Sequence, residues 1–109
     1  MIEHIAPKIW NKNLSSYQIF DVRTPSEWRE DGIISDVKCV ALFDDMGLLN
    51  RNFIEEFKAK YQKNDKILAF ICRSGHRSEI AASMVLDELE IRGVNLEGGI
   101  LAYEKELLK

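Results

Sequence analysis

The residues best suited to chemistry lie together in one short segment of the chain. They follow residues 67–71, a continuous apolar run typical of a central parallel strand that is covered on both faces, and they precede a helical pattern. A thiol at this position faces converging backbone N–H groups and the positive end of the helix dipole, and both stabilise an anion. The segment consists of Cys72, Arg73, Ser74, Gly75, His76, Arg77 and Ser78.

This environment predicts that Cys72 is a catalytic nucleophile, because it favours the thiolate, which is the reactive form of cysteine. The two arginines add positive charge, and each can bind an anionic substrate through paired hydrogen bonds. Gly75 lets the backbone turn through conformations closed to other residues. Residues 73–78 are therefore predicted to bind the substrate around the Cys72 sulfur. The alternative, a small buried cysteine without chemistry, leaves the arginines and the glycine unexplained.

The elements that must position this segment alternate between strand-like and helix-like patterns. The alternation predicts an α/β fold, with a small parallel sheet of about five strands flanked by helices on both faces. Ligands of such folds bind beyond the carboxyl ends of the strands, which is where Cys72 is expected. The predicted strands are residues 2–5, 18–22, 37–42, 67–71 and 94–96. The predicted helices are residues 7–10, 24–32 with Thr24 as cap, 51–62, a helix capped by Ser78 and ended by Gly93, and 100–108.

Composition and charge limit the classes of protein to which the chain can belong. Its 109 residues suffice for a single domain, residues 1–109, and 46% of them are hydrophobic, as in ordinary globular proteins. The net charge of -3 argues against nucleic-acid binding, which needs a basic surface. No stretch approaches the roughly 18 apolar residues of a membrane helix, and no secretory signal is found. We therefore expect no membrane contact, a cytoplasmic location, and no disulfide between Cys39 and Cys72.

Three motifs, in order along the chain, resemble those of the rhodanese-like domain family. Residues 72–78 match its loop C-R-x-G-x-R-[ST], and residues 21–28 match D-V-R-x-x-x-E-[YW]. Residues 96–100 match its L-x-G-G-[IFW] turn, with Tyr103 where a tryptophan is common. A lone C-x-x-G-x-R would be a weak signal, but three ordered motifs on a matching strand and helix pattern are specific.

The resemblance implies a sulfurtransferase that carries sulfur as a persulfide on Cys72. The thiolate would attack the outer sulfur of a small donor such as thiosulfate and release sulfite. Cyanide, a thiol or a partner protein in a sulfur relay would then accept the sulfur. No metal or organic cofactor is expected, since the reaction needs none and no cluster of histidine and cysteine ligands is present.

Some residues and one segment depart from the motifs or lie beside them. The family usually continues with G-H-I-x-G-A after its second motif, whereas residues 32–37 read G-I-I-S-D-V, so the third strand and one pocket wall are expected to differ. A structural role is favoured for Cys39 over a resolving role, which would need contact with Cys72. For Asp21 and Arg23 a structural ion pair is favoured over substrate contact. His4 carries no chemical signal.

Two other functions use the same pattern of residues. The related phosphatases and arsenate reductases have a C-x5-R loop that fits a tetrahedral oxyanion, whereas Cys72 to Arg77 is C-x4-R, one residue shorter. Non-catalytic binding modules built on the same fold commonly lack the cysteine. The retained cysteine and arginines favour the sulfurtransferase over both.

Overall fold

Five parallel strands form one sheet in a computed structural model that describes residues 1–108. The sheet has the order β1-β5-β4-β2-β3, which places β4 at its centre. The strand predicted over residues 67–71 is confirmed at both ends, because its unbroken apolar run is buried from Leu68 onward. The strands are β1 Glu3–Ile5, β2 Tyr17–Asp21, β3 Lys38–Cys39, β4 Ile67–Ile71 and β5 Val94–Leu96.

Within residues 1–108, four α-helices connect the strands, as crossovers between parallel strands require, and a fifth follows β5. The start of α2 was predicted from the T-P-S-E pattern and is confirmed: Thr24 and Glu27 form a capping box. The α-helices are α1 Pro7–Trp10, α2 Pro25–Asp31, α3 Phe53–Lys60, α4 His76–Leu89 and α5 Gly99–Leu107, and a 3-10 helix covers Leu14–Ser16.

Each face of the sheet is covered by its own apolar cluster, which confirms the prediction of helices on both faces. Side chains alternate along β4, so Phe70 and Cys72 belong to one cluster and Ile71 to the other. The first cluster lies under α3 and α4, and the second under α1 and α5. The Cys72 side chain therefore faces the α4 side of the sheet.

Three local predictions are wrong. Gly93 was predicted to end α4, but the helix ends at Leu89 and Glu90 caps it in a left-handed conformation. The third strand was predicted over residues 37–42, but β3 comprises Lys38–Cys39 alone. Ser78 was predicted to cap α4, yet the helix begins at His76 and Ser78 is buried inside its first turn. The helix begins earlier because Gly75 has φ +110°, a conformation that lets the chain close its turn directly before His76.

Candidate active site

The candidate site lies at the carboxyl ends of the central strands, as the sequence predicts for a fold of this class. Cys72 directly follows β4, and the segment of residues 72–78, called here the Cys72 loop, leads into α4. Cys72 is only 1% exposed, so its sulfur lies at the base of the loop and not on the surface.

Two groups of the loop contact the Cys72 sulfur. The backbone N–H of Gly75 donates a hydrogen bond to Sγ at 3.1 Å, and Oγ of Ser78 lies 3.3 Å from Sγ. The contact from Gly75 is one of the converging N–H groups expected from the sequence, and it stabilises negative charge on sulfur. The loop therefore curves around the sulfur.

The Gly98-Gly99 turn supports the base of the loop. The N–H of Ile100 donates to the carbonyl of Cys72 at 2.9 Å, and the N–H of Leu101 donates to that of Arg73 at 3.1 Å. A Cβ on Gly99 would overlap the Cys72 carbonyl oxygen, so no larger residue fits without moving the loop. The L-x-G-G-[IFW] turn thus supports the Cys72 loop through hydrogen bonds to the backbone of that loop.

Arg77 is held by a carboxylate inside the site. Its Nη1 and Nη2 donate to the two carboxylate oxygens of Glu27 at 2.6 and 2.9 Å. The bond from Arg77 is the main cause that lowers the pKa of Glu27 to about 2, against the opposing effect of burial, and it raises the pKa of Arg77. The guanidinium is therefore oriented by Glu27, a contact that the sequence analysis did not predict.

The remaining loop residues are more open to solvent. Arg73 is exposed, and its Nη1 lies 3.9 Å from a carboxylate oxygen of Asp31. Ser74 and His76 are exposed as well. The exposed rim of the Cys72 loop is thus formed by Arg73, Ser74 and His76. Substrate binding by residues 73–78 stays a prediction.

Replacing Glu27 by glutamine should change how stability depends on pH. A carboxyl whose pKa is about 2 when folded and 4.5 ordinarily stabilises the fold above pH 4.5, and this contribution is lost as the pH falls through 2. At neutral pH the Glu27→Gln variant should be less stable than the unmodified protein. Between pH 4.5 and 2 its free energy of unfolding should fall less than that of the unmodified protein. Urea unfolding of both proteins at a series of pH values measures the difference. Parallel curves would contradict the strength of this ion pair.

Asp21 and Arg23 form a buried ion pair beside the site. The Nη2 of Arg23 lies 2.7 Å from Oδ2 of Asp21, and the two side chains are 1% and 0% exposed. Arg23 also donates to the carbonyl of Gly32 at 2.8 Å. Burial opposes the charge of Arg23, but the contacts with Asp21 outweigh it and raise the pKa of Arg23. The favoured structural interpretation of this pair is supported.

Cys39 lies at the same edge of the sheet as Cys72 but two strands away. Asp21 of β2 is aligned with Cys39 on one side and with Ile71 on the other. Two strand spacings are about 9.6 Å, whereas a disulfide needs Cα atoms within about 7 Å. Burial is the main cause that raises the pKa of the Cys39 thiol. The geometry favours the structural role.

Two polar residues outside the loop were missed by the sequence analysis. Ser78 Oγ donates to Oδ1 of Asn95 at 2.5 Å, and Nδ2 of Asn95 lies 2.9 Å from Nδ1 of His4. Asn95 is 2% exposed on a strand between Val94 and Leu96. A buried amide in an apolar strand was the signal that could have identified it.

Residues 1–108 contain neither a cluster of metal ligands nor a membrane-spanning helix. No group of three or more histidine, cysteine or acidic side chains there is placed to hold a metal ion. None of the helices in that range combines the length and the apolar composition needed to cross a bilayer.

Comparison with known proteins identifies similar sequences and structures. A family model described as "Rhodanese-like domain" matches residues 7–106. The chain is 28% identical to a rhodanese-related protein of Thermoplasma volcanium, whose crystal structure superposes with a TM-score of 0.68 over 95% of this chain and 92% of that one. It is 50% identical over 42 residues to the Bacillus subtilis protein named "Putative sulfurtransferase YtwF", covering 38% of this chain and 40% of that one.

A longer relative shares the same region at lower identity. The chain is 24% identical to the tRNA uridine(34) hydroxylase of Chlamydia felis over 93% of its own length, which is 31% of that protein. The chain thus spans about a third of this relative.

Proposed function

The chain belongs to the rhodanese-like domain family, and we propose that it is a sulfurtransferase that carries sulfane sulfur as a persulfide on Cys72. The observation that carries the proposal is the setting of the sulfur. Sγ lies after the central strand, accepts the N–H of Gly75 at 3.1 Å, and is enclosed by a C-x4-R loop. A thiol in this setting is prepared to become a nucleophilic anion.

The reaction proceeds by two displacements at sulfur. The Cys72 thiolate attacks the outer sulfur of a donor such as thiosulfate, a new S–S bond forms, and the old S–S bond breaks as sulfite leaves with its electron pair. A thiolate or cyanide then attacks the outer sulfur of the persulfide, and Cys72 leaves as a thiolate. No electron is gained or lost overall, so the cycle needs no redox cofactor.

The charged residues of the loop suit an anionic donor. Arg77 is paired with Glu27 at 2.6 Å, which is the main cause that raises the pKa of Arg77, and the charge of Cys72 contributes to the same shift. Arg73 is exposed at the rim, where a divalent anion approaching Cys72 would meet it first. Arg73 thus binds the incoming donor, and Arg77 maintains the positive charge and the shape of the loop.

The alternative functions fit the site less well. A transferring phosphoryl group presents three equatorial oxygens that must be held at once, and a C-x4-R loop has one backbone N–H fewer than a C-x5-R loop with which to hold them. The relation to tRNA uridine(34) hydroxylases is 24% identity over a third of those proteins, and it supports a shared domain more than a shared reaction.

The proposed acceptor is a cellular thiol or a partner protein in the cytoplasm.

Paired assays test the proposal against the phosphatase alternative. The protein should transfer sulfur from thiosulfate to cyanide and should not hydrolyse a generic aryl phosphate appreciably. Inserting one residue between Ser74 and Arg77 should widen the loop and lower sulfur transfer. Phosphatase turnover by the unmodified chain that disappears in Cys72→Ser would contradict the sulfurtransferase proposal and support the phosphatase alternative.

A further inference from the structure

A chain of hydrogen bonds connects the buried Cys72 sulfur to an exposed histidine. Ser78 Oγ lies 3.3 Å from Sγ and 2.5 Å from Oδ1 of Asn95. Nδ2 of Asn95 lies 2.9 Å from Nδ1 of His4, and Nε2 of His4 lies 3.4 Å from Oε2 of Glu79. The His4 side chain is 40% exposed, whereas Ser78 and Asn95 are buried. Solvent protons thus have access to one end of a network whose other end is the nucleophile.

The register of the sheet brings the members of the network together. His4 of β1 is aligned with Asn95 of β5, and Asn95 is aligned with Phe70 of β4. Aligned residues on neighbouring strands place their side chains on the same face, which here is the face covered by α4. Ser78 and Glu79 are supplied by the first turn of α4.

One carbonyl sets the direction of the hydrogen bonds. Gly75 O lies 3.1 Å from Nδ2 of Asn95, and a carbonyl can only accept, so the amide nitrogen must face it. The same NH2 group then donates its second proton to Nδ1 of His4. His4 must therefore be neutral in this arrangement, with its proton on Nε2 toward Glu79. At the other end, Oδ1 of Asn95 accepts the hydroxyl proton of Ser78.

This direction is unfavourable for an anion on Cys72. The hydroxyl of Ser78 has a single proton, and Asn95 takes it. Ser78 then offers the sulfur a lone pair, which accepts an S–H proton but repels a thiolate. In the arrangement with neutral His4, therefore, the N–H of Gly75 donates to the sulfur and the hydroxyl of Ser78 does not.

A proton on Nδ1 of His4 reverses the network. Nδ1–H becomes a donor, so Asn95 turns its Oδ1 toward it and its NH2 toward Ser78 Oγ. The bond from Asn95 to the carbonyl of Gly75 is lost, and Oδ1 then faces that carbonyl oxygen, a repulsion that the charge-assisted bond from His4 must outweigh. Ser78 is then free to donate its proton to the sulfur anion. We propose that His4 is a positioning residue that acts through Asn95 and Ser78, and that its protonation directs the Ser78 hydroxyl to the Cys72 thiolate.

The titratable groups around His4 come from α4 and β1. Histidine changes charge between about pH 5 and 8. Glu79 of α4 faces the imidazole, with its Oε2 3.4 Å from Nε2 of His4, while β5 contributes no titratable group, since it consists of Val94, Asn95 and Leu96. Glu3 adjoins His4 on β1, but its side chain points to the opposite face.

Alkylation of Cys72 by iodoacetamide against pH tests the inference. A Cys39→Ser background leaves Cys72 as the one thiol of the chain. His4→Asn keeps an acceptor near the position of Nδ1 that does not titrate. The rate in the protein with His4 divided by the rate in His4→Asn should be close to one near pH 8.5. It should rise to about fivefold near pH 5.5, since this is the lower end of ordinary coupling between sites.

Two further variants separate the network from general effects of charge. In a Ser78→Ala background, His4→Asn should lose its pH-dependent effect, because the connection to sulfur is broken. Glu3→Gln is the matched control on the same strand and should leave the alkylation profile unchanged.

Several outcomes would overturn the inference. One is a ratio of alkylation rates that is the same at every pH or falls toward low pH. The others are an undiminished effect of His4→Asn in the Ser78→Ala background and an effect of Glu3→Gln equal to that of His4→Asn.

The inference rests on the proposed function for the step in which it acts, sulfur loading of Cys72. Alkylation needs no sulfur donor, however, so its result is independent of whether the protein transfers sulfur.

Discussion

Cys72→Ser should lower the rate of sulfur transfer from thiosulfate to cyanide by on the order of a thousandfold or more, to the background of the assay. A serine hydroxyl is nearly isosteric with the thiol, but it is not ionised near neutral pH and forms no persulfide. Its Oγ can still accept the N–H of Gly75, which now donates to sulfur at 3.1 Å. The fold should therefore be retained, and circular dichroism with a urea unfolding curve checks this.

Cys39→Ser is the matched control for this prediction. Cys39 is half-buried on β3, two strands from β4, and no contact with Cys72 is expected from that position. The variant should keep most of the activity. If Cys39→Ser abolished sulfur transfer and Cys72→Ser did not, the assignment of the nucleophile would be wrong.

Arg23→Met should lower the free energy of unfolding by about 3–5 kcal/mol, because it leaves the Asp21 carboxylate buried without its partner. The lost contacts are the bonds to Asp21 at 2.7–3.1 Å and the bond to the carbonyl of Gly32 at 2.8 Å. Chemical unfolding in urea measures the change. An effect of this size is a large fraction of the stability of a small domain.

Arg29→Met provides the control at an exposed ion pair. Its Nη2 lies 3.7 Å from a carboxylate oxygen of Asp45, and the two side chains are 68% and 42% exposed. Solvent screens such an exposed pair, so the variant should unfold almost like the unmodified protein. Equal losses in the two variants would mean that burial does not determine the contribution of the Arg23 pair.

The sequence predicted those features that depend on neighbouring residues. The apolar run of residues 67–71 was sufficient to identify the central strand, and the spacing from Thr24 to Glu27 was sufficient to identify the start of α2. The position of Cys72 at the carboxyl edge followed from the strand and helix alternation around it. Each of these patterns lies within a few residues and needs no knowledge of long-range contacts.

The features that the sequence missed depend on contacts between distant residues. Glu27 was recognised as part of a cap, but its second partner, Arg77, lies 50 positions further along the chain. Asn95 is 17 residues from Ser78 and 91 from His4, so their network appears only when β1, β5 and α4 are assembled. Ser78 was predicted as a cap for the same reason: its true acceptor is on another element.

The most direct test of the account is the mass of the protein after incubation with thiosulfate. If Cys72 carries sulfur, intact-mass spectrometry should show an adduct of about 32 Da, one sulfur atom, that peptide mapping assigns to Cys72 and that cyanide or dithiothreitol removes. The Cys39→Ser variant should form the adduct and the Cys72→Ser variant should not. An unchanged mass after exposure to excess thiosulfate, or an adduct on Cys39 instead, would contradict the proposed persulfide chemistry.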